Sequence, residues 1–255
     1  MTSDIGSVVV LAAGQGKRMR SKLPKVLHQV CGRPMLLYVL DAVRAVGAER
    51  IVVVLGHGHE QVSPIVPPDC VVALQERQLG TGHAVLAAAA DILPGAFLVL
   101  PGDTPLVTGE ALWELVRDHV ESGASATVLT MELDDPTGYG RIVRDAAGSV
   151  VSIVEHRDAD PDQLAIREVN SGMYVLTAPL ALEVLAQVGA ENDQRGIYLT
   201  DVVAGLRERG AQVGASKIGD ASVVLGVNSQ EELETADLIM QARLDAQRGT
   251  GVREQ

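Results

Sequence analysis

The sequence has 255 residues, with 33 acidic and 21 basic side chains and a formal net charge of −12. This balance argues against general nucleic-acid binding, which needs a basic surface, and no apolar run approaches the roughly 20 residues of a membrane-spanning helix. The two cysteines, Cys31 and Cys70, are isolated, and the N-terminus lacks the long apolar segment of a signal peptide. We therefore expect a cytoplasmic protein without nucleic-acid or membrane partners.

The first third of the chain alternates predicted strands with predicted helices. Apolar, β-branched runs predict three buried strands, at Ser7–Ala13, Ile51–Leu55 and Cys70–Leu74. Apolar residues from Met35 to Val46 recur at helical spacing, with Pro34 before them and Gly47 after them. This β-α-β-α-β order predicts a mostly parallel sheet with crossover helices.

The middle of the chain changes from this alternation to turn-rich hairpins. Before the change we predict a helix at His83–Ala90, a strand at Phe97–Leu100, a helix at Gly109–Ser122 and a strand at Ser125–Met131. After Leu133 the turn residues predict a hairpin and a further strand, interrupted by Gly172: Arg141–Arg144, Val150–Glu155 and Val169–Leu176. We expect these strands to form a small antiparallel annex on the parallel sheet.

The last part of the chain is predicted to be mostly helical. Two helices, Ala178–Gln187 and Leu199–Arg209, enclose a polar loop at Glu191–Gly196, and strands follow at Val213–Lys217 and Val223–Leu225. Ser229 and Glu232 have the spacing of a capping box, which predicts that a final helix begins there and ends near Gln247.

The loop after the first strand carries an unusual concentration of positive charge. Residues 5–40 contain six basic side chains and no acidic one, and five of the six follow the glycines of this loop: Lys17, Arg18, Arg20, Lys22 and Lys25. The loop lacks the third glycine of G-x-G-x-x-G and does not match G-x-x-x-x-G-K-[ST]. Because backbone N–H groups and fixed cations together can surround a triphosphate, the loop predicts a polyphosphate site. A merely solvated basic loop is the alternative.

Several short blocks of sequence resemble a known family. Leu11-Ala12-Ala13-Gly14-x-Gly16-x-Arg18-Met19 followed by Pro24-Lys25 resembles the signature of the sugar-1-phosphate nucleotidyltransferases. Further blocks follow in order: Gln78-Leu79-Gly80-Thr81-Gly82-His83-Ala84, Gly102-Asp103-Thr104-Pro105, Gly138-Tyr139-Gly140-Arg141, Val169-Asn170-Ser171-Gly172, Tyr198-Leu199-Thr200-Asp201 and Gly226-Val227-Asn228. Together they resemble the uridylyltransferase domain of the bacterial bifunctional N-acetylglucosamine-1-phosphate uridylyltransferase/glucosamine-1-phosphate acetyltransferases, over residues 7 to about 245.

The resemblance implies a fold and a reaction. The fold is α/β, a Rossmann-like nucleotidyltransferase fold whose mostly parallel sheet is flanked by helices and carries an antiparallel sugar-binding annex. The reaction is the transfer of UMP from UTP to N-acetylglucosamine-1-phosphate, which gives UDP-N-acetylglucosamine and pyrophosphate. Since the attacking phosphate is already a nucleophile, catalysis depends on positioning and charge neutralisation. Arg18 and Lys25 are the implied catalytic cations.

The resemblance also implies a metal site. Asp103 and Asn228 are the implied ligands of Mg²⁺, which prefers carboxylate, amide and phosphate oxygens. From the residues alone, Asp103 could instead cap a helix, and Asn228 could stabilise a turn beside Ser229. The pair His57 and His59 has no partner at ligand spacing, so we do not expect a metal there.

The remaining implied site residues divide between nucleotide and sugar. Those implied for the nucleotide are Leu11, Ala13, Gly14, Gln75, Gly80 and Thr81, and those implied for the sugar are Tyr139, Gly140, Glu155 and Asn170. Gln75 suits a uracil edge because its amide is both donor and acceptor. The alternatives are a surface position for Gln75, an exposed strand end for Glu155 and helix capping for Thr200 and Asp201.

Other functions stay open at this stage. The sugar could be glucose-1-phosphate or another sugar-1-phosphate, the nucleotide could differ, and a non-catalytic regulator could keep the same fold. We expect residues 1–228 to form the nucleotidyltransferase domain and residues 229–255 a C-terminal helix and tail. These 255 residues lack the hexapeptide-repeat β-helix of the bifunctional family, so we do not expect acetyl transfer from them, and the oligomeric state is undetermined.

Overall fold

A computed structural model describes residues 5–14, 16–191 and 196–251 of the chain. Its strands are β1 (Ser7–Ala12), β2 (Gln29–Val30), β3 (Arg33–Pro34), β4 (Arg50–Leu55), β5 (Cys70–Leu74), β6 (Gly95–Pro101), β7 (Ala126–Glu132), β8 (Arg141–Arg144), β9 (Val150–Val154), β10 (Glu168–Ala178) and β11 (Val213–Lys217). Its α-helices are α1 (Met35–Arg44), α2 (His59–Val62), α3 (Thr81–Ala87), α4 (Gly109–Ser122), α5 (Pro161–Leu164), α6 (Leu180–Glu191), α7 (Asp201–Glu208) and α8 (Gln230–Gly251).

One nine-stranded sheet organises these elements, and the short strands β2 and β3 pair separately. The path through the large sheet is β11-β7-β10-β6-β1-β4-β5. β1, β4, β5 and β6 are parallel, whereas β10 is antiparallel to both β6 and β7. The hairpin of β8 and β9 joins this sheet through β10. The predicted mostly parallel sheet with an antiparallel annex is therefore confirmed.

Apolar layers cover both faces of the sheet. Successive side chains of a strand point to opposite faces, and in β1 the fully buried Val8 and Val10 pack with one layer and Val9 with the other. Helices α1 and α4 contribute to the first layer, and α3, α6 and α7 contribute to the second. The loops at the strand ends therefore lie on a rigid three-layer base.

Several predicted elements differ from the structure, including the helices predicted at His83–Ala90 and Ala178–Gln187, which are Thr81–Ala87 and Leu180–Glu191. The segment predicted as a strand at Val223–Leu225 is a 3-10 helix, Ala221–Val224, because the Asp220 carboxylate accepts a hydrogen bond from the Ser222 amide at 3.0 Å and turns the chain. The final helix extends beyond the predicted end, to Gly251. Of the predicted loop at 191–196, residues 192–195 lie outside the described part of the chain.

The final helix, α8, packs against the basic loop. Glu232 and Ser229 exchange hydrogen bonds of 3.0 and 3.2 Å, which confirms the predicted capping box. Ala236 and Met240 of α8 are buried against Met19 of the basic loop, and the Gln230 side chain donates to the Met19 carbonyl at 3.1 Å. Among the described residues no helix combines the length and apolarity needed to cross a membrane.

Candidate active site

The carboxyl edge of the parallel strands brings distant loops together. β1 lies between β4 and β6, so the loops that leave β1 and β6 are neighbours. The Gly102 amide donates to the Leu11 carbonyl at 2.9 Å, which places Asp103 beside the basic loop. The Val227 amide donates to the Asp103 carbonyl at 2.9 Å, so the segment before α8 reaches the same edge.

Gly16 lets the basic loop fold onto Lys25. Its φ of +61° lies in the left-handed region that side chains disfavour. A Cβ atom at this position would lie 2.9 Å from the Cβ of Lys25. The loop therefore needs a glycine here, and this close approach fixes where the Lys25 side chain leaves the backbone.

The Lys25 ammonium lies between the two side chains implied as metal ligands. Its Nζ atom forms an ion pair with Asp103 and donates to the Asn228 Oδ1 atom at 2.6 Å. The Lys25 and Asp103 side chains are only 11% and 19% exposed, so little water screens this contact. Arg18 donates to the same Asn228 oxygen at 2.9 Å. One carboxylate and one amide oxygen thus face a common point occupied by a cation.

The alternatives for these residues are settled by their partners. Asp103 does not cap α4, because the Thr108 hydroxyl does so by accepting from the Ala111 amide at 3.2 Å. Asn228 does stabilise a turn, since its Nδ2 group donates to the Gly226 carbonyl at 3.2 Å. That contact leaves its oxygen for the cations. The cations of the basic loop differ in exposure. Lys25 is largely buried, whereas Arg18, Arg20 and Lys22 are exposed to solvent.

A cavity of about 600 Å³ extends along this edge. It brings together twelve of the predicted site residues: Leu11, Ala13, Gly14, Arg18, Lys25, Gln75, Gly80, Thr81, Asp103, Glu155, Asn170 and Asn228. A cavity of this size matches the range typical of small-molecule sites. These twelve residues, predicted for the phosphates, the metal, the base and the sugar, come from distant parts of the sequence and line one space.

One end of the cavity is formed by Gln75 and the start of α3. Gln75 is only 4% exposed, so its interpretation as a surface residue is wrong. Its amide nitrogen contacts the Gly80 carbonyl at 3.0 Å and His83 Nδ1 at 3.0 Å. Thr81 is exposed, and its hydroxyl accepts from the Leu199 amide at 2.9 Å. This end is therefore tied to the segment before α7.

The other end contains polar side chains from β9, β10 and α7. Glu155 is half-buried and accepts a hydrogen bond from the Thr200 hydroxyl at 3.2 Å, so the exposed-strand-end interpretation is wrong. Burial raises the pKa of the Glu155 carboxyl, and the Thr200 hydrogen bond opposes this shift. Burial also raises the pKa of the Asp201 carboxyl. Thr200 makes no side-chain cap of α7, so its hydroxyl serves the cavity.

Asn170 and Tyr174 face this end from a distorted part of β10. The pairing of β10 with β7 shifts register between these two residues, and the Gly172 amide donates to Asn170 Oδ1 at 2.8 Å. The Tyr174 hydroxyl is buried without a well-formed hydrogen bond among the described residues, and burial raises its pKa.

Two predicted sugar-site residues lie outside this cavity wall. Tyr139 lines a separate cavity of about 190 Å³ together with residues of α8. Gly140 is buried, and its carbonyl accepts a hydrogen bond from the backbone N–H of Asn170 at 2.9 Å. The structure thus places Gly140 behind the cavity wall, where it supports Asn170.

Some lining residues were not expected from the sequence. Gln78 donates to the Ala13 carbonyl at 2.8 Å and so links the segment after β5 to the residue after β1. Tyr174 lies in an apolar strand and gives no polar motif, although it follows the interruption at Gly172. Only the tertiary structure shows that Tyr174 lines the cavity.

The donor set fits a divalent cation that completes its shell with ligand and water oxygens. Asp103 and Asn228 already hold the Lys25 ammonium between their oxygens, so this point favours positive charge. No cluster of three or more histidine, cysteine or acidic side chains that could hold a metal occurs among the residues described here. A metal at this point would therefore take two ligands from the protein and complete its shell with water or ligand oxygens.

Solved structures share this fold. A UDP-glucose pyrophosphorylase complexed with UDP-glucose superposes with a TM-score of 0.76, at 18% identity, over 94% of this chain and 99% of its own. The inositol-1-phosphate CTP transferase from T. maritima superposes with a TM-score of 0.72, at 20% identity, over 94% and 97% of the two chains. At these identities the likeness shows the fold alone, which is the predicted nucleotidyltransferase fold.

Curated relatives share a higher sequence identity with this chain than these solved structures do. The chain is 49% identical to the bifunctional protein GlmU of Lactobacillus delbrueckii subsp. bulgaricus over 240 residues, 93% of this chain and 52% of that protein. It is 48% identical to the bifunctional protein GlmU of Streptomyces coelicolor over 245 residues, 93% of this chain and 51% of that protein. The chain thus spans about half the length of the curated relatives that it matches.

A match to a known family covers most of the chain. Residues 8–199 match the family described as the MobA-like NTP transferase domain. This range begins in β1, includes the basic loop, Gln75 and Asp103, and ends beside Thr200 at the far end of the cavity. The chain therefore belongs to the MobA-like NTP transferase domain family.

Proposed function

We propose that this chain transfers UMP from UTP to N-acetylglucosamine-1-phosphate and releases pyrophosphate. The observation that carries the proposal is the single cavity that joins Gln75, Lys25, Asp103 and Glu155. Its support from relatives is the 44–49% identity to proteins described as bifunctional protein GlmU over 93% of this chain.

The reaction exchanges one phosphoanhydride bond for another. A phosphate oxygen of the sugar phosphate forms a bond to the α-phosphorus of UTP, and the bond between that phosphorus and the bridging oxygen to the β-phosphorus breaks. The electron pair of the broken bond leaves with pyrophosphate. The nucleophile is already an anion, so no protein base has to remove a proton from it.

Arg18 and Lys25 act on the phosphates in this proposal. Negative charge moves from the α-phosphate to the leaving pyrophosphate, and cations fixed near these oxygens stabilise that change without reorganisation. Lys25 is held by Gly16 and by its partners, whereas the more exposed Arg18 can follow the ligand. Binding of UTP transfers Lys25 from Asp103 to the phosphate oxygens.

Asp103 and Asn228 hold Mg²⁺ in this proposal. When bound, the metal neutralises phosphate charge and aligns the triphosphate. The two side chains provide oxygen ligands from one carboxylate and one amide, which matches the preference of Mg²⁺. Their present contact with the Lys25 ammonium supports a cation site at this point.

The far end of the cavity binds the sugar in this proposal. Glu155, Asn170 and Tyr174 supply hydrogen-bonding groups to the sugar hydroxyls and the acetamido group, and Thr200 fixes the Glu155 carboxylate. Gly140 keeps Asn170 in place through its carbonyl. Tyr139, which lines the smaller cavity beside α8, has no assigned contact with the sugar in this proposal.

Pyrophosphate release tests the proposal directly. The purified chain is incubated with Mg²⁺ and each of four nucleoside triphosphates against N-acetylglucosamine-1-phosphate, glucose-1-phosphate and galactose-1-phosphate. We expect the highest kcat/KM for UTP with the acetamido sugar. A higher value for glucose-1-phosphate would contradict the substrate assignment, and nucleotide binding without turnover for any pair would favour a non-catalytic regulator.

A further inference from the structure

The amide of Gln75 is held in one orientation by two acceptors on the same side. Its nitrogen lies 3.0 Å from the Gly80 carbonyl oxygen and 3.0 Å from His83 Nδ1. A carbonyl oxygen can only accept a hydrogen bond, so the Gln75 nitrogen rather than its oxygen must face Gly80. Its second N–H group then points to His83, which accepts through an unprotonated Nδ1 atom.

The Gly80 carbonyl is itself fixed by a distant part of the chain. Gly80 has a φ of +106°, and a Cβ atom there would lie 2.4 Å from the Ile197 carbonyl oxygen. The Ile197 amide donates to the Leu79 carbonyl at 2.6 Å, and the Gly82 amide donates to the Ile197 carbonyl at 2.8 Å. These contacts hold the peptide on both sides of Gly80, so its carbonyl cannot turn away from Gln75.

The oxygen of the Gln75 amide is left for a ligand. Both N–H groups of this amide are used, whereas its Oε1 atom receives no hydrogen bond from the described residues. Gln75 lines the large cavity and is itself 4% exposed. An acceptor in the cavity wall that receives no hydrogen bond from the described residues can pair with a ligand that brings an N–H group.

We propose that His83 is a positioning residue that, together with the Gly80 carbonyl, holds Gln75 as a pure hydrogen-bond acceptor and thereby selects uracil over cytosine. Uracil presents an N–H donor at ring position 3, whereas cytosine presents a lone pair there, which opposes the Gln75 oxygen. If the amide could flip, Gln75 would offer N–H groups and accept cytosine. This inference rests on the proposed function for the identity of the nucleotide.

Equilibrium binding of UTP and CTP to the intact chain tests the role of His83. His83→Leu removes the acceptor at similar size, and His83→Asn restores an acceptor near the Nδ1 position. We expect His83→Leu to lower the ratio of UTP to CTP affinity by about tenfold, the effect of one lost hydrogen bond with an unpaired N–H group. We expect His83→Asn to keep the wild-type ratio, because the Asn oxygen can accept from Gln75.

Controls separate positioning from a general structural effect. His59→Leu changes a histidine outside the cavity and should leave the affinity ratio unchanged. Thermal unfolding of each variant shows whether it is folded. A wild-type affinity ratio in His83→Leu, an equally low ratio in His83→Asn, or equal affinity of the wild type for UTP and CTP would overturn the inference.

The proposed function fails by a different result. Pyrophosphate release from wild type reports on turnover, whereas the affinity ratio reports on base selection without a sugar substrate. A chain that prefers UTP through His83 and yet releases no pyrophosphate would contradict the reaction and keep the inference. A chain that releases pyrophosphate from UTP, but whose preference for UTP over CTP does not depend on His83, would support the reaction and contradict the inference.

Discussion

Lys25 and Asp103 form an ion pair at the carboxyl edge of the sheet, with the Asn228 oxygen 2.6 Å from the same ammonium. The cation implied for the phosphates therefore lies at the point implied for the metal. If Asp103 and Asn228 bind a divalent cation as proposed, Lys25 has to leave this point, since two cations cannot share one small pair of oxygen ligands. In the proposed function the substrate phosphates are the next partner of Lys25.

Removal of the Lys25 charge should strengthen metal binding in the nucleotide-free protein. For Lys25→Met we expect Mn²⁺ affinity to rise about tenfold, within the usual range of coupling between competing ligands, and turnover to fall by about 10²–10³-fold. Titration followed by electron paramagnetic resonance measures the free Mn²⁺. Lys22→Met, at an exposed cation of the same loop, is the control, and weaker Mn²⁺ binding in Lys25→Met would refute the competition.

Asp103→Asn should weaken metal binding while the fold is retained. The substitution keeps the size of the side chain but removes the charge that attracts the cation. We expect Mn²⁺ affinity to drop and Mg²⁺-dependent turnover to fall by about 10²–10³-fold, with a thermal midpoint near that of the wild type. Wild-type affinity for Mn²⁺ in this variant would remove Asp103 from the metal site.

Glu155 should make the protein less stable as the pH rises. Burial raises its pKa above the ordinary value of 4.5, so the folded state holds more protons than the unfolded state between that value and the raised pKa. The free energy of unfolding therefore falls as pH increases through this window. Relative to wild type, Glu155→Gln should gain stability from pH 4 to pH 7 in urea titrations.

Glu168 provides a comparison of opposite sign. The Arg144 guanidinium, at 2.6 Å from its carboxylate, lowers the pKa of Glu168. Its contribution to stability is present above pH 4.5 and is lost as pH falls through the lowered pKa. Glu168→Gln should therefore lose stability relative to wild type at pH 7 more than at pH 3. The same sign of pH dependence in both variants would contradict the two assignments.

Gly80→Ala should destabilise the protein and the base end of the cavity together. The added Cβ would lie 2.4 Å from a backbone oxygen of Ile197 at a φ of +106°, and strained backbone of this kind costs about 1–3 kcal/mol. We expect the free energy of unfolding to fall by at least about this amount in urea titrations. Gly219→Ala, where no atom lies within 4 Å of an added Cβ, is the matched control and should unfold like wild type.

Local sequence patterns were sufficient for most elements and failed for one short apolar segment. Val8, Val9 and Val10 are buried on the two faces of the sheet, and their composition alone predicts a strand. The short apolar segment near Val223 has the same composition signal, yet Asp220 turns it into a 3-10 helix. Short apolar runs do not distinguish these outcomes.

By itself, the sequence determined the α/β class, the charged glycine loop and the order of the blocks that identify the family, because these depend on periodicity, composition and local motifs. Only the tertiary structure decided that Lys25 bridges Asp103 and Asn228, that Tyr139 lies behind the cavity and that Tyr174 faces it. These facts depend on which strands and loops the sheet brings together. Pairings between distant segments set that geometry, and no local pattern records it.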